Sequence, residues 1–437
     1  MSNELKNLKA YLLCRYAHQS SLYNSWCNEL PCESQLVIDN PSDWRLPDDA
    51  GIVITHEHFR WEEVSALRKI CDQSRIPTLV LADGILEYRN TWQNPTIPDA
   101  SIYQPLLADK IACIGNNSAR MIESWGNAGK VEVVGLPRLD LLRDAQRNPQ
   151  PTDEFRLLIG TATTPAFTPQ QRETVVRSLQ AIKSWANANP TVAGRKLRMH
   201  WRLTDGLSEE IGIDGPESEL SLHDELLSVD AAITTPSTIF LESLLAQVPT
   251  AMLDFSNSPP FVPAAWSISA AEHLDTVVEE LAAPPEPKML FQNFVLADNL
   301  NCQSSATSRM VQLVTQMMQI GQQCRLQHQS LVFPTRILDH IQNSDQPLVL
   351  SKLHPDNPAF EIDDKQRLQA ELSQAVARLD TLPRELADKN NQISQLQIAL
   401  DESRRRLADV RSRLFKLRKI LGIGKENQTE ELPEKTE

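Results

Sequence analysis

The sequence predicts an α/β protein: two doubly wound parallel sheets facing each other across a cleft, followed by an α-helical coiled coil. Three observations predict it. Short apolar runs alternate with helical patterns from Tyr11 to Val134, and a second such series runs from Phe155 to Asp254. Leucines then recur at heptad spacing from Leu372 onward. Short buried strands alternating with helices pair in parallel through crossovers. A sustained heptad repeat lets helices wind around one another.

In the first series, Tyr11–Cys14, Gln35–Asp39 and Gly51–Thr55 read as strands. Trp61–Gln73 reads as an amphipathic helix with Val64, Leu67, Ile70 and Cys71 on one face. Strands at Thr78–Ala82, Lys110–Ile114 and Lys130–Val134 follow, with a helix over Asn117–Trp125. The polar, proline-containing stretch near 141–154 reads as a crossover. In the second series, Phe155–Gly160, Lys196–His200, the run near Ala231 and Met252–Asp254 read as strands. Helices are expected over Gln170–Ala188, Ala270–Ala282 and Ser305–Ile320, with a last one ending near Ile341, and His223–Leu227 leads into the strand near 231. The expected boundaries are two Rossmann-like halves, 1–145 and 146–342, a linker at 343–364, a coiled coil at 365–422 and a disordered acidic tail at 423–437.

In that coiled coil, Leu372, Leu379, Leu386, Ile393, Leu400, Leu407, Leu414 and Leu421 take position a. Leu368, Ala375, Leu382, Leu396, Val410 and Leu417 take d, where Lys389 and Ser403 weaken the seam. Pro383 is expected to kink it. A single amphipathic helix is the alternative.

Composition narrows the class. The 437 residues are 41% hydrophobic and 23% charged, as in soluble globular proteins. No apolar run approaches the ~20 residues that span a bilayer. The N-terminal MSNELKNLKAYLLCRY lacks the pattern of a signal peptide. Seven cysteines without CxxC spacing argue against a disulfide framework or a zinc site, and point to reduced thiols in the cytoplasm. A formal net charge of -14 excludes general nucleic-acid binding.

The most informative segment is Asp230–Phe255: an apolar strand, the turn Thr235-Pro236-Ser237-Thr238, a helix carrying Glu242, and another strand. This arrangement presents backbone N–H groups to an anion. Pro236 suits the helix start, since its missing N–H would lack a partner there anyway. Ser237 and Thr238 either cap the helix or hydrogen-bond a phosphate. Ligands of such domains bind beyond the carboxyl ends of strands. Those ends carry His56-Glu57-His58, Asp83-Gly84 through Asn90, Gly115–Ser118, Gly135–Asp140, Thr161–Thr164 and His200-Trp201-Arg202.

The Gly135-Leu136-Pro137-Arg138-Leu139-Asp140 turn resembles the G-x-P-R-x-D sequence that ends the first domain of GT-B glycosyltransferases. It is similar to the capsule-polysaccharide and CDP-glycerol glycerophosphotransferase (teichoic-acid) branch. The segment from Asp230 through Thr235, Ser237 and Thr238 to Glu242 resembles that branch's D-x-x-I-T-D-x-S-S helix start, which binds the donor diphosphate. His200 and Arg202 fall where the branch carries a basic strand end. The resemblance covers roughly residues 1 to 340. It departs from the pattern at Thr235, which replaces an Asp, at Thr238, which replaces a Ser, and at Asp83-Gly84, which replaces a His-Gly turn.

The resemblance implies a first domain for the acceptor and a second for the nucleotide-activated donor, with direct inverting transfer and no cofactor or bound metal. Asp83 would be the base, with His56 and His58 as alternatives. Thr235, Ser237, Thr238, Gly135 and Arg138 would surround the donor, His200 or Arg202 would add positive charge, and Glu242 would bind the donor ribose. Glu242 near a helix start, Asp83-Gly84 as a turn, and an Arg138–Asp140 pair are the structural alternatives. The implied role is cell-surface glycan synthesis on a glycan or lipid-linked acceptor. Rivals are a sugar-nucleotide 2-epimerase, for which the sequence displays no dense carboxylate–histidine set, and a non-catalytic scaffold acting through its coiled coil. The helix near Arg404–Lys419, basic except for Asp409, is either a solvated coiled-coil flank or a peripheral contact with the anionic inner-membrane face.

Overall fold

The computed structural model describes residues 5–14, 21–38, 43–56, 61–73, 75–97, 102–145, 147, 153–213, 220–339 and 358–420. Glu57, His58, most of the expected crossover at 146–152, the stretch 340–357, Leu421 and the acidic tail lie outside the described residues. The chain forms two compact units, Met1–Pro355 and Asp356–Glu437.

The first unit contains two six-stranded sheets. One is built from β1 (Lys9–Cys14), β2 (Glu33–Ile38), β3 (Ala50–Thr55), β4 (Thr78–Leu81), β5 (Lys110–Cys113) and β6 (Val131–Val133). Its order is β2-β1-β3-β4-β5-β6, all parallel. Every residue of β3, β4 and β5 is buried, which is why these strands read as continuous apolar runs rather than alternations. Trp61–Gln73 is helical over the predicted span.

The second sheet contains β7 (Glu154–Gly160), β8 (Thr191–Val192), β9 (Arg195–Arg202), β10 (Ala231–Thr234), β11 (Thr250–Leu253) and β12 (Trp266–Ile268). The order is β12-β11-β10-β7-β9-β8, parallel except for the β8–β9 hairpin. The chain leaves β7 toward β9 and returns on the other side at β10, so the topological switch point lies between β7 and β10. The Pro169–Ala188 helix covers one face. Thr168 caps it by accepting from the Gln171 N–H at 3.2 Å, and Pro169 occupies the first turn.

Several elements differ from expectation. β12 and the helix Glu286–Asn299 were not expected from the sequence. Helix Ala306–Leu326 follows the second sheet in sequence but packs on the first. Its Met310, Leu313, Val314, Met317 and Met318 join Leu12, Ile52, Ile54 and Leu79 in one core. Its start is held by Asp140, whose carboxylate accepts from the N–H groups of Ala306 and Thr307 at 3.0 and 2.9 Å. Finally, the chain is not helical over 327–339, where a helix was expected to run to Ile341. That segment is pinned instead by a buried ion pair. Lys110 Nζ donates to the carbonyls of Pro334 and Thr335, and the Glu132 carboxylate accepts from the Ile337 and Leu338 N–H groups. Lys110 and Glu132 themselves meet at 2.8 Å, at 0% and 2% side-chain exposure.

The described residues of the second unit form the helix Pro358–Ile420, 63 residues long, with Pro383 inside it. It begins earlier than the expected coiled-coil start at 365. The described leucines, isoleucine and valine at heptad positions a and d are 42–70% exposed.

Candidate functional site

The two sheets of the first unit are joined by a shared apolar core. Ile114, Leu136 and Leu139 of the first half pack with Phe240, Leu241, Leu244, Val295 and Leu296 of the second. Above this core, strand ends from both halves converge.

Helix Thr238–Leu245 starts at the end of β10, with Ser237 extended at its N-cap. Ser237 does not cap the helix with its side chain; its hydroxyl donates to the Thr235 carbonyl at 3.1 Å. Thr238 reaches across to the first half, where its Oγ1 accepts from the Ile85 N–H at 3.3 Å. A Cβ added to Gly84 would lie 2.1 Å from that oxygen. The Asp83-Gly84 turn therefore sits directly against the helix N-terminus because residue 84 has no side chain. Asp83 is exposed at this junction.

Arg138 bridges the same two halves. Its Nη1 donates to the Asp83 carbonyl at 3.3 Å, and its Nη2 lies 3.1 Å from Glu242 Oε1. The alternative Arg138–Asp140 pair does not form; Arg143 pairs with Asp140 instead, at 3.3 Å. Burial alone would raise the Asp140 carboxyl. The N–H groups of Thr307 and Ala306 and the Ser305 hydroxyl outweigh it, holding the group below its ordinary value.

His200 and Arg202 lie two residues apart on β9 and so share a face. Both meet Glu225, a residue the sequence reading passed over. Arg202 Nη1 donates to Glu225 Oε2 at 3.1 Å, and His200 Nδ1 lies 3.5 Å from Oε1. His223 Nε2 lies 3.8 Å from Glu242 Oε2. Glu225 and Glu242 are 1% and 5% exposed. Two buried carboxylates thus hold two arginines and two histidines, and the Arg138–Glu242 pair crosses between the halves. These pairs are not apparent in the sequence because their members come from four separate segments.

Other expected residues serve elsewhere. Thr235 is 2% exposed, and its Oγ1 accepts from the Ala162 N–H at 2.9 Å, tying the ends of β7 and β10 together at the switch point. Gly135 has φ +103, and a Cβ there would lie 2.9 Å from the Ala306 Cβ, so it serves the seating of the Ala306 helix. His56 is buried at the end of β3.

A cavity of about 140 Å³ opens beside the Gly84–Thr238 contact, lined by Glu87, Tyr88, Pro236, Asp254 and Phe261 among others. Burial pushes the Glu87 carboxyl above its ordinary value, although Arg89 beside it pulls the other way. Pockets for drug-sized ligands run to about 300–1,000 Å³, so this cleft as it stands admits only part of one. Among the described residues, no group of three or more His, Cys, Asp and Glu side chains is arranged to hold a metal ion. No described helix is long and apolar enough to cross a membrane.

No protein-family model and no curated protein matches this chain. Solved structures do resemble it. A protein assigned as a UDP-N-acetylglucosamine 2-epimerase from Listeria monocytogenes is similar at a TM-score of 0.50 and 12% identity, over 72% of this chain and 97% of that one. The UDP-GlcNAc 2-epimerase of Methanocaldococcus jannaschii, solved with UDP-GlcNAc and UDP, is similar at a TM-score of 0.47 and 11% identity, over 70% and 99%. The wall teichoic acid polymerase TagF is similar at a TM-score of 0.45 and 10% identity, over 74% and 92%. The chain has the GT-B type of fold, with two Rossmann-like halves.

Proposed function

We propose that this chain is a transferase acting on a nucleotide-activated donor in cell-surface polysaccharide synthesis, either a glycosyltransferase or a glycerophosphotransferase. One observation carries the reading. The N-terminus of helix Thr238–Leu245, at the end of a parallel strand, lies against the Asp83-Gly84 turn of the other half, on which Asp83 is exposed and Arg138 holds the backbone. A helix N-terminus attracts the donor's phosphates, and the Asp83 carboxylate takes a proton.

In this reading Asp83 removes the acceptor hydroxyl proton. The oxygen attacks the donor carbon or phosphorus with inversion, and the bond to the leaving nucleotide breaks. Ser237, Thr238 and the backbone N–H groups of the first turn hold the negative charge that grows on that nucleotide. His200 and Arg202 add positive charge from β9, and Glu242 positions the donor ribose. No metal or cofactor takes part. Because the cavity is small and Thr238 is engaged with Ile85, donor binding parts the two halves at that contact. The terminal helix acts as a coiled coil that makes the protein a homo-oligomer. Its basic stretch is available to an anionic membrane carrying a lipid-linked acceptor.

The test is thermal stabilisation of the full-length chain by UDP, CDP, GDP and ADP. A ligand at a hundred times its Kd stabilises the native state by about 2.7 kcal/mol. A selective rise in Tm, lost in a Ser237→Ala/Thr238→Ala double variant, supports the reading. No rise with any of the four overturns it in favour of a GT-B-like scaffold.

The two carboxylate–histidine pairs, Glu225 with His200 and Glu242 with His223, favour a second reading, a sugar-nucleotide 2-epimerase. Paired carboxylates and histidines can supply both a proton acceptor and a proton donor. These four nucleotides do not separate the two enzymes, but products do. A sugar nucleotide that changes configuration without any acceptor present identifies the epimerase.

A further inference from the structure

We propose that the terminal helix pairs antiparallel with the same helix of a second copy, with Leu372 of one chain facing Leu417 of the partner subunit. This rests on reading the helix as a coiled coil. The stripe of apolar side chains along it is half exposed or more at most positions, Leu372 at 65% and Leu417 at 52%, and a second copy supplies a matching stripe.

Two features of charge set the direction. The last turns carry Arg404, Arg406, Arg411 and Arg413 at the e and g positions that flank the seam. A parallel, in-register pair brings Arg406 against Arg411 of the partner subunit and the reverse, stacking like charges along both flanks. The helix itself holds some of these arginines locally, Arg413 by Asp409 at 2.9 Å and Arg406 by Glu402 at 3.9 Å. Asp401 holds Arg404 at 3.7 Å, and the stretch 401–420 has no acid beyond Asp401, Glu402 and Asp409. Toward the other end acids and bases are mixed, with Glu371, Asp380 and Glu385 among Arg378 and Arg384. In the register stated above, an antiparallel partner lays its residues 376–385 along Arg404–Arg413, where Asp380 and Glu385 balance Arg378 and Arg384 in place of a second run of arginines.

The second feature is Lys389, an exposed residue at seam position d. In a parallel pair it faces its own copy across the seam, two ammonium groups in an apolar layer. In the antiparallel register stated above it faces Leu400 of the partner subunit, and its stem can lie along that leucine with the charge reaching water. The same register sets Leu379 against the partner's Val410, Leu407 against the partner's Leu382, and Ile393 against the partner's Leu396. Apolar layers are therefore kept over most of the length.

Cysteine cross-linking of full-length chains tests both orientation and association. Leu379→Cys and Val410→Cys chains are mixed and mildly oxidised, and disulfides are mapped on unreduced peptides so that native thiols such as Cys71 are told apart. The expected result is a dimer by sedimentation equilibrium with a disulfide joining positions 379 and 410 of different chains. A 379–379 disulfide overturns the orientation and leaves the coiled coil standing. A dimer with neither disulfide overturns the stated pairing. A monomer overturns the coiled coil itself. None of these outcomes depends on whether the first unit binds a nucleotide.

Discussion

Arg138 Nη2 lies 3.1 Å from Glu242 Oε1, joining the last turn of the first half to a buried carboxylate of the second. Removing the guanidinium leaves Glu242 buried with only His223 nearby. Arg138→Ala should destabilise the protein by about 1–2 kcal/mol, less than for a fully buried pair because Arg138 is one-third exposed. Adding Glu242→Gln should recover part of the loss, since it removes the stranded charge. Urea unfolding of both variants measures this; strictly additive losses would mean the two side chains act independently.

Gly84 packs directly against Thr238 of the other half, so its substitution should be felt across the cleft. Gly84→Ala places a methyl group on Thr238 Oγ1, which must swing away and give up the Ile85 N–H. Tm should fall, and Thr238→Ala on the same background should restore much of it. If Gly84→Ala melts like the wild type, the contact is not made in solution.

Asp83→Asn keeps the shape of the turn and removes the proton acceptor. General-base catalysis contributes roughly 10²–10⁴-fold, so transfer should drop by at least a hundredfold while the thermal shift with the preferred nucleotide stays the same. Unchanged turnover would remove Asp83 from the mechanism and leave Glu87, pushed up by burial and lining the adjacent cavity, as the base to examine.

The Lys110–Glu132 pair is fully buried and holds a strap of chain on both sides. Glu132→Gln leaves the ammonium without a counter-charge, which typically costs about 3–5 kcal/mol. Hydrogen exchange should report it locally, with the Ile337 and Leu338 amides exchanging faster. Protection there equal to the wild type would show that the strap is held by something else.

Acid should loosen the Ala306 helix through Asp140. Its carboxyl is held below the ordinary value of 3.8 in the folded protein, so the native state gains from its ionised form. That contribution is fully present above pH 3.8 and is lost as pH falls through the lower folded value. Asp140→Asn should therefore flatten the acid limb of the stability–pH curve; an unchanged slope would assign acid sensitivity to other carboxylates.

Much of this architecture was legible in the sequence, for a physical reason. Parallel strands buried on both faces leave unbroken apolar runs such as Ile52-Val53-Ile54, and Trp61–Gln73 shows its helical period plainly. The junction of Asp83, Arg138, Thr238 and Glu242 could be anticipated because strand ends are where such folds place polar groups. What escaped was set by tertiary contact alone. β12 is three residues long, after a proline-rich loop, and too short to show a period. Glu225 looks like any acidic residue in the first turn of a short helix. Only the fold buries it between His200 and Arg202. The helix from Ala306 has an apolar face that fits either sheet, and nothing local in its sequence says which.

That helix has a consequence for how the chain is made. The first sheet leaves the ribosome early, yet the residues that seal one of its faces, Met310 to Met318, arrive only after the whole second sheet has been synthesised. Until then Leu12, Ile52, Ile54 and Leu79 lack their final partners, and a nascent chain with such a bare face is prone to aggregate. The protein is thus a poor candidate for splitting at the midpoint, and its first half should depend on chaperones for most of the time it takes to translate the second.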